Sequence, residues 1–309
     1  MNEDFPKNEV EFDRRFHTEQ ACLDYLFQLR WPEGFSCSRC GHLHYWTSSR
    51  GLFLCQQCRH QQSVTAGTIF HGTRKPLTLW FKALWWFSTR KASVNATALQ
   101  ELLGLGSYQT AWCWLQKLRT CTVFPSRSKL SGTVEVDEFY LGGVHSGQRG
   151  RGAGHKCKVA VAVERQGRKL GRLRLQVIEQ CSGEELISFS KANISTGSHI
   201  TTDGWFAYRG LQYEGYSHQA VVQSKAENKE SVLKGVHLVT SLFKRVILGT
   251  FHGRLDSKYL QRYLDEYVFR FNRRTTKSIG KRFWRIMQQA VTSAPIPRDR
   301  LMLEFGGAK

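Results

Sequence analysis

Two pairs of cysteines restrict what the opening of this chain can fold into more tightly than any other feature. Cys37-Ser38-Arg39-Cys40 and Cys55-Gln56-Gln57-Cys58 are Cys-x-x-Cys knuckles with fourteen residues between them. Four thiolates at that spacing converge on one tetrahedral ion, and the intervening Tyr45-Trp46 and Leu52-Phe53-Leu54 read as strands of a small ribbon. Such a site is closed to further ligands. It therefore predicts structural Zn²⁺ held by Cys37, Cys40, Cys55 and Cys58, with local folding dependent on the metal. His42, His44 and His60 lie near in sequence, but the thiolates fill the shell. Cys22, Cys113, Cys121, Cys157 and Cys181 are scattered and read as core residues of a chain in a reducing compartment.

Charge separates this ribbon from the rest. The net charge is +20, yet residues 1–72 contain 7 Lys and Arg against 8 Asp and Glu. The excess lies beyond residue 72, which points to a polyanionic partner, nucleic acid before membrane. The opening Met1-Asn2-Glu3-Asp4 is polar and acidic, unlike a secretory signal. The most apolar run, Pro76 to Phe87, is interrupted by Lys82 and too short to span a bilayer. A cytoplasmic protein is expected.

Residues 1–15 are charged and expected to fray, and Thr18 caps a helix through about Arg30 with Cys22, Leu26 and Leu29 on its buried stripe. Helical patterns then cover Thr78 to Arg90, Ser93 to Leu103 and Tyr108 to Arg119. The Gly104-Leu105-Gly106-Ser107 turn between the last two gives a helix-turn-helix pattern, a candidate DNA contact. Pro125 to Lys129 reads as the linker into a sheet domain.

That domain holds two aspartates in matching settings. Thr133-Val134-Glu135-Val136-Asp137 and His199-Ile200-Thr201-Thr202-Asp203 are β-prone runs, each leading to a carboxylate. Between them lie strand patterns at 158–164 and 170–179 and a helix pattern at 183–192. If the two aspartate strands are neighbours in a covered sheet, the carboxylates meet, and they repel unless a divalent cation lies between them. One or two Mg²⁺ ions held by Asp137 and Asp203 against a phosphodiester fit that geometry. The loop Gly142 to Lys156, with Arg149 and Arg151, is basic and glycine-rich and is expected to track phosphates. It lacks the Gly-Lys-Ser/Thr ending of a Walker loop. Helices are expected from about Glu230 to Val246 and from Ser257 to about Arg274.

Taken together, the cysteine knuckles, VEVDEFYLGG, TTDGWFAY, HLVTSLFKRVILGTFHG and YLDEYVFRFNRR resemble bacterial insertion-sequence transposases of the zinc-ribbon, ISXO2-like type. The resemblance covers roughly residues 15 to 290. It implies an α/β fold with a ribonuclease-H-like mixed sheet, preceded by the ribbon and a helix-turn-helix-like region. The implied divisions are residues 1–72, 73–130, 131–290 and a tail 291–309. It also implies metal-dependent cleavage and joining of element-end DNA, by a chain that is at least dimeric on that DNA. Asp137 and Asp203 take the first two ligand positions. The third lies on a later helix with a basic residue seven positions on. His237, with Lys244 at that spacing, is favoured, and Glu266, with Arg273, is the alternative. Imidazole departs from the hard oxygen ligands that Mg²⁺ prefers and suits Mn²⁺ better. A DNA-binding regulator without catalysis and a nuclease that cuts without joining are the competing readings.

Overall fold

The computed structural model describes residues 3–142, 156–221, 233–253 and 255–305. The basic loop carrying Arg149 and Arg151 lies outside the described residues. Packing divides the chain into two compact units, residues 1–124 with 275–309, and residues 125–274.

The first unit opens with α1 (Glu9–Arg15), capped by the Asn8 side chain, where the sequence suggested fraying. Tertiary contact overrides the charge: Phe12 and Phe16 are buried against Phe283, and Phe12 also stacks on Trp85. Next, α2 (Glu19–Arg30) starts at Thr18, whose hydroxyl accepts the Ala21 N–H. Its two sides serve two cores. Cys22, Tyr25, Leu26 and Leu29 are buried, whereas Phe27 and the following Trp31 pack with Phe35, Tyr45 and Phe53 of the ribbon. The ribbon strands β1 (Tyr45–Thr47), β2 (Phe53–Cys55) and β3 (Gln61–Gln62) form one antiparallel sheet in that order. Helices α3 (Leu77–Thr89), α4 (Ala96–Leu103) and α5 (Tyr108–Thr120) follow, with Gly104 at φ +60° ending α4 as a left-handed cap.

The second unit is a five-stranded mixed sheet. β4 (Thr133–Leu141), β5 (Cys157–Gln166) and β6 (Lys169–Ile178) form an antiparallel meander. Helix α6 (Gly183–Asn193) then crosses over to β7 (His199–Thr202), which runs parallel to β4. A 3₁₀ helix (Phe206–Glu214) leads to β8 (Ser217–Ala220), giving the order β6-β5-β4-β7-β8. α7 (Lys234–Phe251) and α8 (Leu260–Asn272) complete the unit. The sheet is ribonuclease-H-like, with the first strand central and the crossover strand beside it.

Alternation along β5 explains why both faces are covered. Val159, Val161 and Val163 join Phe139 and the apolar stripes of α7 and α8 on one side. Ala160 and Ala162 join Val134, Val136, α6 and the 3₁₀ helix on the other, where small side chains admit close packing.

α9 (Ile279–Thr292) and α10 (Arg298–Phe305) return to the first unit. Residues 275–290, grouped with the sheet domain in the sequence reading, thus pack with the N-terminal helices. Phe283 of α9 is fully buried among Phe12, Phe16, Phe81 and Trp85. No described helix is long and apolar enough to cross a membrane.

Candidate active site

The metal knuckles of the ribbon repeat one another atom for atom in the backbone. Gly41 N–H donates to the Cys37 carbonyl and Arg59 N–H to the Cys55 carbonyl, at 2.9 and 3.1 Å. In each knuckle the residue after the second cysteine takes a left-handed conformation, Gly41 at φ +73° and Arg59 at +58°. Cys37 and Cys55 also donate their own N–H groups to the carbonyls of His42 and His60. The four sulfurs lie within 4.8 Å of one another, with Cys37–Cys58 and Cys40–Cys55 both at 3.6 Å. A tetrahedron of Zn–S bonds near 2.3 Å has edges of about 3.8 Å, so the donor set fits a structural Zn²⁺. Burial pushes the Cys37 thiol up, but hydrogen bonds from the backbone N–H groups of Arg39 and Cys40 outweigh it and bring the thiol down to about 6. Cys40 of the same knuckle moves the other way: a backbone hydrogen bond from His42 draws its thiol down, but burial and hydrogen bonds with the other three thiols outweigh it and push it up to about 12.

In the sheet unit, the parallel pairing of β4 with β7 sets Glu135 opposite Thr201. Continued by two residues, that register sets Asp137, in the middle of β4, level with Asp203, the first residue past the end of β7. Each carboxylate is oriented by backbone. Asp137 Oδ1 accepts the Glu138 N–H at 2.8 Å, and Asp203 Oδ1 accepts the Trp205 N–H at 3.0 Å in a tight turn. Burial first, then Glu138, Asp137 and Asp203, hold the Tyr208 hydroxyl well above the ordinary phenol range. The Tyr208 hydroxyl donates to Glu138 Oε2 at 2.8 Å. This carboxylate is 8% exposed and faces the opposite side of β4 from Asp137.

Glu135 sets the helix above the aspartates. Its Oε2 accepts the Val236 N–H at 3.0 Å in the first turn of α7, where exposed N–H groups and the helix dipole favour an anion. Its Oε1 lies 3.3 Å from Arg165 Nε. Gly235 permits the approach, since a Cβ there would sit 2.8 Å from Glu135 Oε2 and 2.9 Å from Leu170.

On α7, Val236, Val239, Phe243 and Ile247 face the core, and Tyr267 of α8 donates its hydroxyl to the Val239 carbonyl. His237 and Lys244 lie two turns apart on one flank of α7, and both are exposed. The Lys244 ammonium is 5.9 Å from the Phe139 ring centroid, which turns that flank toward β4 two residues beyond Asp137. Glu266 is elsewhere. It is 0% exposed on α8, paired with Arg270 at 2.8 Å, and α8 packs on β6, at the far edge from β7. Among the described residues, the four cysteines are the group of three or more ligating side chains within 4.8 Å of one another. Asp137, Asp203 and His237 do not draw so close.

The sequence reading omitted Glu135, Glu138 and Tyr208. The glutamates were visible as charges inside a strand covered on both faces, which must find partners. Their partners, Val236 and Tyr208, lie 101 and 70 residues away and carry no local signal. The helix-turn-helix expectation is narrowed: α5 is buried from Ala111 to Gln116, and its exposed residues concentrate in the first turn at Tyr108 and Gln109.

Comparison with known proteins agrees with this geometry. Residues 129–272 match the ISXO2-like transposase domain, and residues 17–61 match a transposase zinc-ribbon domain. A curated relative from Halobacterium salinarum, described as an uncharacterized protein in transposable element ISH50, is 28% identical over 144 residues. That match covers 45% of this chain and 46% of the relative, about half the length of each. In order and content, the chain thus carries an ISXO2-like transposase domain behind a transposase zinc ribbon.

Proposed function

We propose that this chain is a metal-dependent DNA transposase that cleaves the ends of an insertion sequence and joins them to target DNA. The observation that carries the reading is the parallel β4–β7 pairing, whose register, continued two residues past its last pair, sets Asp203, just beyond the end of β7, beside Asp137 in the middle of β4. Two backbone-oriented carboxylates are hard oxygen donors suited to Mg²⁺ or Mn²⁺. When bound there, such ions lower the pKa of water and neutralise charge on the scissile phosphate and leaving oxygen.

The chain's own groups do the rest. Asp137 and Asp203 would hold the ions. His237 serves as the third ligand, supported by its flank of α7; Glu266, buried and paired with Arg270, is ill suited to that role. Lys244, beside Phe139, holds a phosphate of the bound strand. The ribbon keeps its zinc for structure. The ribbon and the first turn of α5 read the element ends, since the opening residues of a recognition helix are the ones that reach base edges. Two ends joined to one target need at least a dimer on DNA, which the mass of the DNA complex tests.

Cleavage and joining of a labelled element-end duplex, with Mg²⁺ and with Mn²⁺, test the reading. Asp137→Asn, Asp203→Asn and His237→Ala are expected to abolish both steps, and Glu266→Ala, where it folds, to retain them. Cutting without joining would make the chain a nuclease. Tight binding with no cutting under either metal would make it a regulator.

A further inference from the structure

The 3₁₀ helix after Asp203 has two unlike faces. Ala207, Tyr208 and Leu211 are buried, with Tyr208 reaching Glu138 on the face of β4 opposite Asp137. Outward, Phe206 is 61% exposed and Arg209 is also exposed. In a 3₁₀ helix residues three apart eclipse, so the ring and the guanidinium form one ridge, about 6 Å apart along the axis. The ridge is firmly seated. A Cβ at Gly210 would run into Ile187 of α6, and one at Gly183 of α6 would lie 3.1 Å from the Ala207 carbonyl. Phe206 leans on Trp205 with ring centroids 4.3 Å apart, and the Trp205 indole N–H donates to the Cys181 carbonyl at 3.4 Å. Trp205 in turn donates its backbone N–H to Asp203. The exposed ring is therefore held three residues from a metal-binding carboxylate, within about 10 Å of chain reach. Arg209 makes no ion pair among the described residues.

A large exposed aromatic is costly to present to water, and core packing does not account for this one. Beside a carboxylate that handles a phosphodiester, a ring with a cation on the same ridge matches one chemistry. It is a nucleotide with its base unstacked and its phosphate anionic. We propose that Phe206 and Arg209 form a platform for an unpaired nucleotide next to the cleaved phosphodiester, the base stacking on Phe206 and the phosphate pairing with Arg209. The platform rests on the transposase reading and adds to it: DNA is taken as a locally opened strand, and the turn that carries Asp203 also stabilises the opening.

The test uses the full chain and two element-end duplexes, one fully paired and one mismatched at the base pair adjoining the cleavage position. Both carry 2-aminopurine at that nucleotide. Base–aromatic stacking predicts that Phe206→Ala slows cleavage of the paired duplex by about 5-fold to 100-fold. The mismatch removes the cost of opening, so it should accelerate Phe206→Ala more than wild type. Phe206→Trp should restore the paired rate. Tyr213→Ala, an 83% exposed aromatic on the same helix off the ridge, should behave as wild type. In the cleavage-dead Asp203→Asn background, the rise in 2-aminopurine emission on binding should disappear with Phe206→Ala. Arg209→Ala should weaken binding and make its salt dependence shallower by about one phosphate contact. If wild type cuts and Phe206→Ala cuts both duplexes at the wild-type rate, the platform is refuted while the transposase reading stands. If wild type cuts neither duplex with either metal, both fall together.

Discussion

The contact between Glu135 and the start of α7 decides where His237 and Lys244 sit, and its strength can be worked out from its parts. Glu135→Ala leaves the buried Val236 N–H without its 3.0 Å acceptor, which costs about 1–3 kcal/mol. Loss of an anion from a helix N-terminus adds about 0.3–1 kcal/mol. The pair with Arg165 adds less than about 1 kcal/mol, because the Arg165 side chain is 24% exposed and screened. The sum is about 1–5 kcal/mol. Glu135→Gln keeps an acceptor oxygen and should lose only about 1 kcal/mol. Gly235→Ala attacks the same contact from the helix side, since its Cβ meets Glu135 Oε2 at 2.8 Å, and should resemble Glu135→Ala. Urea unfolding gives the total, and hydrogen exchange at residues 236–240 locates it. Strand cleavage should fall with loss of protection in α7 and recover in Glu135→Gln. Unchanged α7 protection in Glu135→Ala would refute the anchoring. A Glu135→Gln variant as damaged as the alanine would show that charge, not the hydrogen bond, carries the contact.

Three further outcomes follow from the packing. Replacing Cys55 with Ser, or removing metal with a chelator, should unfold the ribbon and expose Phe35 and Phe53; the wild-type chain should release about one zinc by metal analysis. For Glu164, burial raises the carboxyl, but the Arg172 guanidinium and the N–H groups of Arg172 and Ser131 outweigh it and hold it below its ordinary 4.5. Its contribution is therefore complete above about pH 4.5 and lost as pH falls through the lower folded value; Glu164→Gln should flatten acid unfolding in that window. Phe283→Ala should cost about 3–5 kcal/mol by calorimetry, and removing residues 275–309 should destabilise the N-terminal helices that Phe283 fills.

Much of the outline was legible because its signals are local. The cysteine spacing specifies a four-sulfur site, the β-branched run at 158–164 specifies a strand, and Thr18 marks the start of α2. Capping and periodicity act over a few residues, so a linear reading captures them. Charge misled at residues 9–15, where Phe12 and Phe16 find a core supplied by α9 from the far end of the chain.

The sequence alone determined the ribbon, the strand and helix order, and the two aspartates as candidate ligands. Only the tertiary structure decided that β7 lies beside β4 in a register that levels those aspartates. It also decided that Glu266 is consumed in a buried pair, while His237 stands exposed on the flank toward β4. Tertiary packing likewise made Glu135 the anchor of a helix 101 residues away and turned Phe206 outward beside Asp203. The physical reason is that a residue's type and spacing set what it can do. Whether it is buried, paired or exposed depends on neighbours brought by distant chain, and only folding supplies them.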